Sequence, residues 1–169
     1  MDEKDIHKMI RVNQAGEYGA TRIYQGQLAV FKGDPVIQKM AEQEALHLKK
    51  FNQLMIENKV RPTVLQPIWH VAGYLLGVTT ALTGRKAAHA CTIAVETVID
   101  QHYQQQLDQL KNYPEHDALR QLVEDCHLEE LEHRDTAIQE GGESAPGYNF
   151  LSEVVQSVSR LAIWLSKRV

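Results

Sequence analysis

The stretch "DCHLEELEHRD", residues 125–135, holds two histidines, and each follows a glutamate by three residues. His127 follows Glu124, and His133 follows Glu130; a third such pair, Glu44 and His47, lies upstream in "EQEALHL", residues 42–48. On an α-helix, residues i and i+3 are neighbours, so a glutamate and a histidine at this spacing reach towards one point. Which pair matters is decided by helical phase, at about 100° per residue. The apolar face of this segment is set by Leu119, Leu122, Val123, Cys126 and Ala137. Relative to Leu119, Glu130 falls about 20° to one side and His133 about 40° to the other, whereas Glu124 is about 140° off and His127 about 80° off. Glu130 and His133 therefore point inwards, and Glu124 and His127 are expected to form an outward, solvated pair.

The same test applied elsewhere finds three more inward groups. Glu44 and His47 fall within a face made by Ile37, Met40, Phe51, Leu54 and Met55. Glu17 shares a face with Ile10, Ala20, Leu28 and Phe31, and Glu96 with Ile93, Ile99, Leu107 and Leu110. A buried carboxylate is costly unless it is paired or bound to a metal. No Lys or Arg shares the middle of these stripes, so a cation is expected to neutralise Glu17, Glu44, Glu96 and Glu130. An oxygen-rich donor set with one imidazole per pair suits iron or manganese rather than structural zinc.

An internal repeat strengthens this reading. "EYGATRIYQGQL" (17–28) and "ETVIDQHYQQQL" (96–107) share Glu-x6-Tyr-x2-Gln-Leu, and each precedes a Glu-x-x-His on the next helix. The chain thus reads as two helical hairpins of one design, each offering a Glu plus a Glu-x-x-His. That is the ligand pattern of dinuclear carboxylate bundles.

The rest of the chain fits an all-α domain. Breaks occur only at "KGDP" (32–35), "RPTVLQP" (61–67), "TGRK" (83–86), "NYPEHD" (112–117) and "EGGESAPG" (140–147). They predict helices over 4–31, 35–58, 67–82, 86–111, 115–139 and 149–167, with no strand-like alternation. At 169 residues, one domain spanning 1–169 is expected. A net charge of -4 argues against a nucleic-acid partner. Cys91 and Cys126 form no CxxC and read as reduced core residues. The amino terminus carries neither a secretory signal nor an Arg- and Ser-rich transit peptide.

Two segments depart from an ordinary soluble helix. Pro62 to Gly84 contains no Asp, Glu, Lys or Arg and is rich in apolar side chains, yet Pro62, Gln66, Pro67 and His70 leave it too broken to span a bilayer. In "FLSEVVQSVSRLAIWLSKRV", residues 150–169, Leu151, Val154, Val155, Val158, Leu161, Ala162 and Leu165 form a stripe that ends in Trp164, Lys167 and Arg168. Such a helix can lie in a membrane interface or simply pack on a core.

At this point the chain resembles the demethoxyubiquinone hydroxylases (5-demethoxyubiquinone monooxygenases) of ubiquinone biosynthesis, within the ferritin-like diiron carboxylate superfamily. The resemblance is carried by "RVNQAGEYGATRIYQGQLAV" (11–30), "VIQKMAEQEALHLKKFNQLM" (36–55), "RPTVLQPIWHVAGYLLGVTTALTGRKAAHACTIAVE" (61–96) and "LEELEHRDTA" (128–137). It implies a ferritin-like four-helix bundle with a dinuclear site, plus two membrane-associated amphipathic or hydrophobic helices. It implies two carboxylate-bridged iron ions held by Glu17, Glu44, His47, Glu96, Glu130 and His133, with Glu44 and Glu130 bridging. His102, Tyr103 and Tyr148 match residues near the family's site or quinone headgroup, in a packing role or a substrate role. The activity implied is hydroxylation at C6 of a demethoxyubiquinone or its quinol, 2-polyprenyl-3-methyl-6-methoxy-1,4-benzoquinol, with O₂ as co-substrate. No GxGxxG follows a strand, so reducing equivalents, in the family ultimately from NADH, are expected from outside the chain. The implied partners are a polyprenyl quinone, a membrane surface, and a second copy or a lipid-binding protein of the pathway. The implied location is peripheral: the matrix side of the mitochondrial inner membrane in a eukaryote, or the cytoplasmic side of a bacterial cell membrane. Two other readings share some of these features. A ferritin-like iron or peroxide protein of rubrerythrin or manganese-catalase type has the ligand set without the greasy segments, and a lipid-binding scaffold would use the metal only structurally.

Overall fold

Six α-helices and no strand make up the regular structure in a computed structural model that describes Met1–Val169 throughout. They are α1 (Glu3–Val30), α2 (Pro35–Glu57), α3 (Gln66–Thr83), α4 (Arg85–Leu110), α5 (Asp117–Gln139) and α6 (Tyr148–Ser166). Single 3₁₀ turns at Pro114–His116 and Gly142–Ser144 precede α5 and α6. Every predicted helix is present, with ends within two residues of expectation, because the breaks carry strong local chemistry. Asp2 caps α1 by accepting from the Asp5 N–H. Asp34 caps α2, accepting from the Val36 and Ile37 N–H groups, with Pro35 preset for the first turn. The Asp34 carboxylate also accepts from Arg85, at 3.1 Å from Nε and 3.3 Å from Nη2, which ties the α1–α2 turn to the start of α4. Gly84 alone separates α3 from α4, with φ of 132°, a backbone conformation that side-chain-bearing residues avoid.

The chain divides into two compact units, one of Met1–Ala88 with Leu161–Val169 and one of His89–Arg160. In the first, α1 and α2 run antiparallel: Gln14 bonds Asn52, Glu17 meets His47, and the Tyr24 hydroxyl donates to the Met40 sulfur. Tyr24, Ile37 and Met40 form a buried cluster at the turn end of this pair, with Leu28, Phe31 and Val36 packed around it. α3 runs alongside α1 in the same direction, with the Tyr18 hydroxyl 2.6 Å from His70 Nδ1 and Gly73 beside Gly19. In the second unit α4 and α5 are antiparallel, with Asp100 opposite His127 and Arg134, and Ile93 against Gly142 beyond the end of α5.

α3 buries its small residues and exposes its large ones. Gly73, Gly77, Thr80 and Ala81 are buried, whereas Ile68, Val71, Leu75 and Leu82 are each more than half exposed. Full burial of such a side chain is worth ~1.5–3 kcal/mol, and each of these forgoes a large part of it. The small face is what lets α3 approach α1: a Cβ on Gly77 would strike the Ile23 carbonyl, and one on Gly26 would strike the Tyr74 carbonyl. No helix is long and apolar enough to cross a membrane.

The α6 stripe divides. Val155 is buried together with Ser152 and Ser166, while Phe150, Val154, Val158, Leu161 and Trp164 are exposed. The reason is geometric: residues spaced by three or four along a helix drift in angle, so seven apolar positions cover more than one neighbour can bury. The last turn of α6 is pinned to α3 by the Trp69 indole N–H, which donates to the Ser166 hydroxyl at 3.1 Å.

Candidate metal centre

Each unit presents one Glu and one Glu-x-x-His pair inside the protein. Glu17 on α1 faces Glu44 and His47 on α2, and Glu96 on α4 faces Glu130 and His133 on α5. All six side chains are buried, none more than 3% exposed. In the first unit, one ligand atom each from Glu17, Glu44 and His47 lies within 4.8 Å of the others, and the same holds for Glu96, Glu130 and His133 in the second. His47 Nδ1 stands 3.3 Å from Glu17 Oε2, and His133 Nδ1 stands 2.9 Å from Glu130 Oε2. The inward phase read from the sequence is therefore correct for all six residues.

These donor sets fit a divalent ion. Two carboxylates and an imidazole form a charge that burial makes expensive, and a +2 ion compensates it. Atoms spanning 4.8 Å are within a small side-chain movement of a shared ion at bond lengths of ~2.0–2.2 Å. Oxygen-dominated sets with one imidazole favour iron or manganese. Cys91 and Cys126 are both buried as free thiols, as expected.

The internal repeat is structural as well as sequential. Tyr24 and Tyr103 occupy matching positions and are both buried, as are Gln27 and Gln106. Gln27 donates its amide to the Ala88 carbonyl at 3.2 Å, and the Gln106 amide nitrogen lies 2.8 Å from His102 Nε2. Of the three accessory residues, His102 and Tyr103 are buried, with their rings stacked at 6.1 Å between centroids. Tyr148 is half-buried at the start of α6.

One expectation is overturned. Glu124 does face outwards, half-exposed beside Arg120. His127, however, is not solvated: its side chain is 12% exposed, and its Nε2 lies 2.7 Å from Asp100 Oδ1. Arg134 Nη1 donates to the other oxygen, Oδ2, at 2.8 Å. Burial pushes the Asp100 carboxyl up, but the hydrogen bonds from His127 and Arg134 outweigh it and hold it below the usual carboxylate value. Helical phase places a residue only relative to the centre of its own helix's apolar face. A residue about 80° away sits on its margin, where a second helix covers it. The signal that was present is the spacing of His127 and Arg134, seven residues and two turns apart on one side of α5, opposite an acid on α4.

The amino-acid sequence has close relatives. It is 49% identical over 169 residues to the human protein named NADPH-dependent 3-demethoxyubiquinone 3-hydroxylase, mitochondrial, covering 97% of this chain and 78% of that one. It is 48% identical over 168 residues to the rat protein of the same name, covering 96% of this chain and 77% of the relative. The 3-demethoxyubiquinol 3-hydroxylase of Rhodospirillum rubrum is 46% identical over 168 residues, covering 97% and 78% respectively. The sequence pattern of the family described as "Ubiquinone biosynthesis protein COQ7" matches residues 4–166, nearly the whole chain, and this protein belongs to that family.

Proposed function

We propose that this protein is an O₂-dependent monooxygenase that hydroxylates the ring of a demethoxyubiquinone, or its quinol, in ubiquinone biosynthesis. The observation that carries the reading is the twofold buried Glu plus Glu-x-x-His set in a chain of this family. Glu17, Glu44, His47, Glu96, Glu130 and His133 would hold two iron ions. The irons, when bound, supply reductive activation of O₂. The ligand order, Glu then Glu-x-x-His twice over, supports a ferritin-like bundle as the fold class and a single catalytic domain over 1–169.

The balance of the reaction is simple. One oxygen atom of O₂ enters the ring C–H that lacks its oxygen substituent, and the other leaves as water with two protons. Two electrons come from outside the chain. The human and rat relatives are named NADPH-dependent, where the sequence resemblance led to NADH, and both support a reduced nicotinamide as the ultimate donor. This chain's own residues keep the six ligands away from bulk water by burial. His102 and Tyr103, packed together on α4 beyond Glu96, are suited to shape the wall against which a quinone ring rests.

A lipid substrate gives the exposed α3 stripe a purpose. Ile68, Val71, Leu75 and Leu82 form an apolar face of the kind that marks an interface. Near its start, Trp69 ties α3 to the end of α6, where the Arg168 guanidinium sits 3.8 Å from the centre of the Trp164 ring. Burial, and then the adjacent Arg168 charge, pull the Lys167 ammonium below the usual lysine value. We infer peripheral binding to a membrane surface through α3 and the exposed end of α6 at Leu161 and Trp164, as in interfacial helices. In a eukaryote that surface is the inner mitochondrial membrane, and in a bacterium the cell membrane.

Two measurements test these readings. Purified iron-loaded protein given O₂, a reduced nicotinamide with an electron mediator, and a short-tailed demethoxyquinone should yield the hydroxylated ring by mass spectrometry. Peroxide breakdown without ring hydroxylation would favour the rubrerythrin or catalase type. Separately, Val71→Glu combined with Leu75→Glu should abolish flotation with liposomes containing anionic lipid, while iron content and turnover of the short-tailed substrate persist. If that variant floats normally but loses self-association or capture of a lipid-binding partner, the stripe is a protein interface instead.

A further inference from the structure

We propose that Asp100, His127 and Arg134 form a positioning network that holds α4 and α5 in the register at which Glu96, Glu130 and His133 converge, and that holds the Tyr103 ring in place. The proposal rests on the metal-binding reading above. Asp100 lies one turn after Glu96 on α4. On α5, His127 lies three residues before Glu130, and Arg134 immediately follows His133. The two donors therefore straddle the Glu-x-x-His pair, and both reach one carboxylate on the opposite helix, at 2.7 and 2.8 Å. These are the short lengths of charge-assisted bonds.

The geometry makes this clamp sensitive to sliding. Moving α4 past α5 by one residue, ~1.5 Å, would stretch at least one of the two bonds beyond hydrogen-bonding range. Metal–ligand distances tolerate only ~0.2 Å, so an external brace of this stiffness matters to the ligands more than to the fold. An ordinary surface ion pair would not serve, since exposed pairs are worth little. Here the Asp100 and His127 side chains are only 16% and 12% exposed. The His127 and Tyr103 rings also meet in a T-shaped contact, at 6.3 Å between centroids and 75° between planes. Tyr103 is itself buried and stacked on His102, so a shift of His127 passes to both rings.

The test is a Co²⁺ titration of metal-free protein, followed by visible absorption, with folding checked by far-ultraviolet circular dichroism. Wild type is expected to take two Co²⁺ per chain. Asp100→Ala and His127→Ala are expected to bind ~10–100-fold more weakly, the usual cost of losing an outer partner of a metal site, and to shift the visible band. His127→Gln should regain most of the affinity, because its amide Nε2 takes the place of the imidazole Nε2 and donates to Asp100. A merely structural role predicts lower melting temperatures with unchanged affinity and band. The proposal is overturned if wild type takes two Co²⁺ and Asp100→Ala binds within twofold of it with the same spectrum. Should Asp100→Ala not fold, the His127 pair decides, and a Gln variant no better than Ala overturns the proposal. Wild type that takes no Co²⁺ instead removes the metal reading, and this one with it.

Discussion

Gly77→Ala is expected to lower the melting temperature by roughly 6–12 °C, although alanine is the better helix former. Intrinsic propensity favours the substitution by ~1 kcal/mol in a helix interior. Against it, the new methyl would meet the Ile23 carbonyl on α1 well inside van der Waals contact and would lie 3.1 Å from the Gln27 nitrogen. Both are backbone atoms of a long helix and cannot turn aside, so α3 must move as a body and give up its contact with α1. Overpacking typically costs ~1–3 kcal/mol and occasionally more, and a clash with fixed backbone atoms puts this case above that range, at about 4 kcal/mol. A net loss near ~3 kcal/mol corresponds to the stated shift for a domain of this size, at ~2–4 °C per kcal/mol. Gly26→Ala should behave alike, since its Cβ would meet the Tyr74 carbonyl and lie 2.8 Å from the Val78 nitrogen. Gly19→Ala is the control: nothing lies within 4 Å of its Cβ, so it should stabilise by ~0.5–1 kcal/mol. Thermal melts of the three variants check the crossing. A Gly77→Ala protein as stable as Gly19→Ala would mean that α1 and α3 do not pack at backbone distance.

Metal removal should have an effect of similar size. Each unit buries two carboxylates and an imidazole within a few ångströms, an arrangement that a cation stabilises and whose desolvated charge is costly without one. A ligand that binds only the folded state at ~1,000 times its Kd adds ~4.1 kcal/mol. Iron-loaded protein should then melt about 8–16 °C above the apo form. Glu130→Ala and His47→Ala should lose metal and turnover and abolish that difference, whereas Glu124→Ala, half-exposed beside Arg120, should keep all three. Glu44→Gln separates the charge from the fold: it should weaken metal binding yet raise the apo melting temperature, because it removes a buried charge while keeping the shape. Differential scanning calorimetry with and without Fe²⁺ under anaerobic conditions reads every case. An apo form that melts as high as the loaded one would contradict the burial argument.

The helices and the inward placement of six Glu and His side chains were determined by the sequence alone, and the reason is that both are local. Caps such as Asp34 with Pro35, and breaks such as Gly84, act over one turn. Inward phase is arithmetic on about 100° per residue, which is why Glu17, Glu44, His47, Glu96, Glu130 and His133 were all placed correctly. The repeat added a long-range inference, since two matched hairpins imply matched interiors, and Tyr24 with Tyr103 and Gln27 with Gln106 bear it out.

What the sequence could not decide was the surroundings of residues at the margin of a face. His127 reads as outward on its own helix, and only the presence of α4 turns it into the half-buried partner of Asp100. The α6 stripe reads as one surface, yet Val155 is covered and Val158 is bare, because a neighbour can bury only part of so wide an arc. α3 is the clearest case. Its composition is apolar all round, and nothing in it says which side faces the protein. The choice is made by Gly26, Gly73 and Gly77, where the absence of side chains on two helices permits backbone contact. Small residues are thereby drawn inwards, and Ile68, Val71, Leu75 and Leu82 are left outside. A helical face is set by what packs against it, and that is a property of pairs of helices rather than of one.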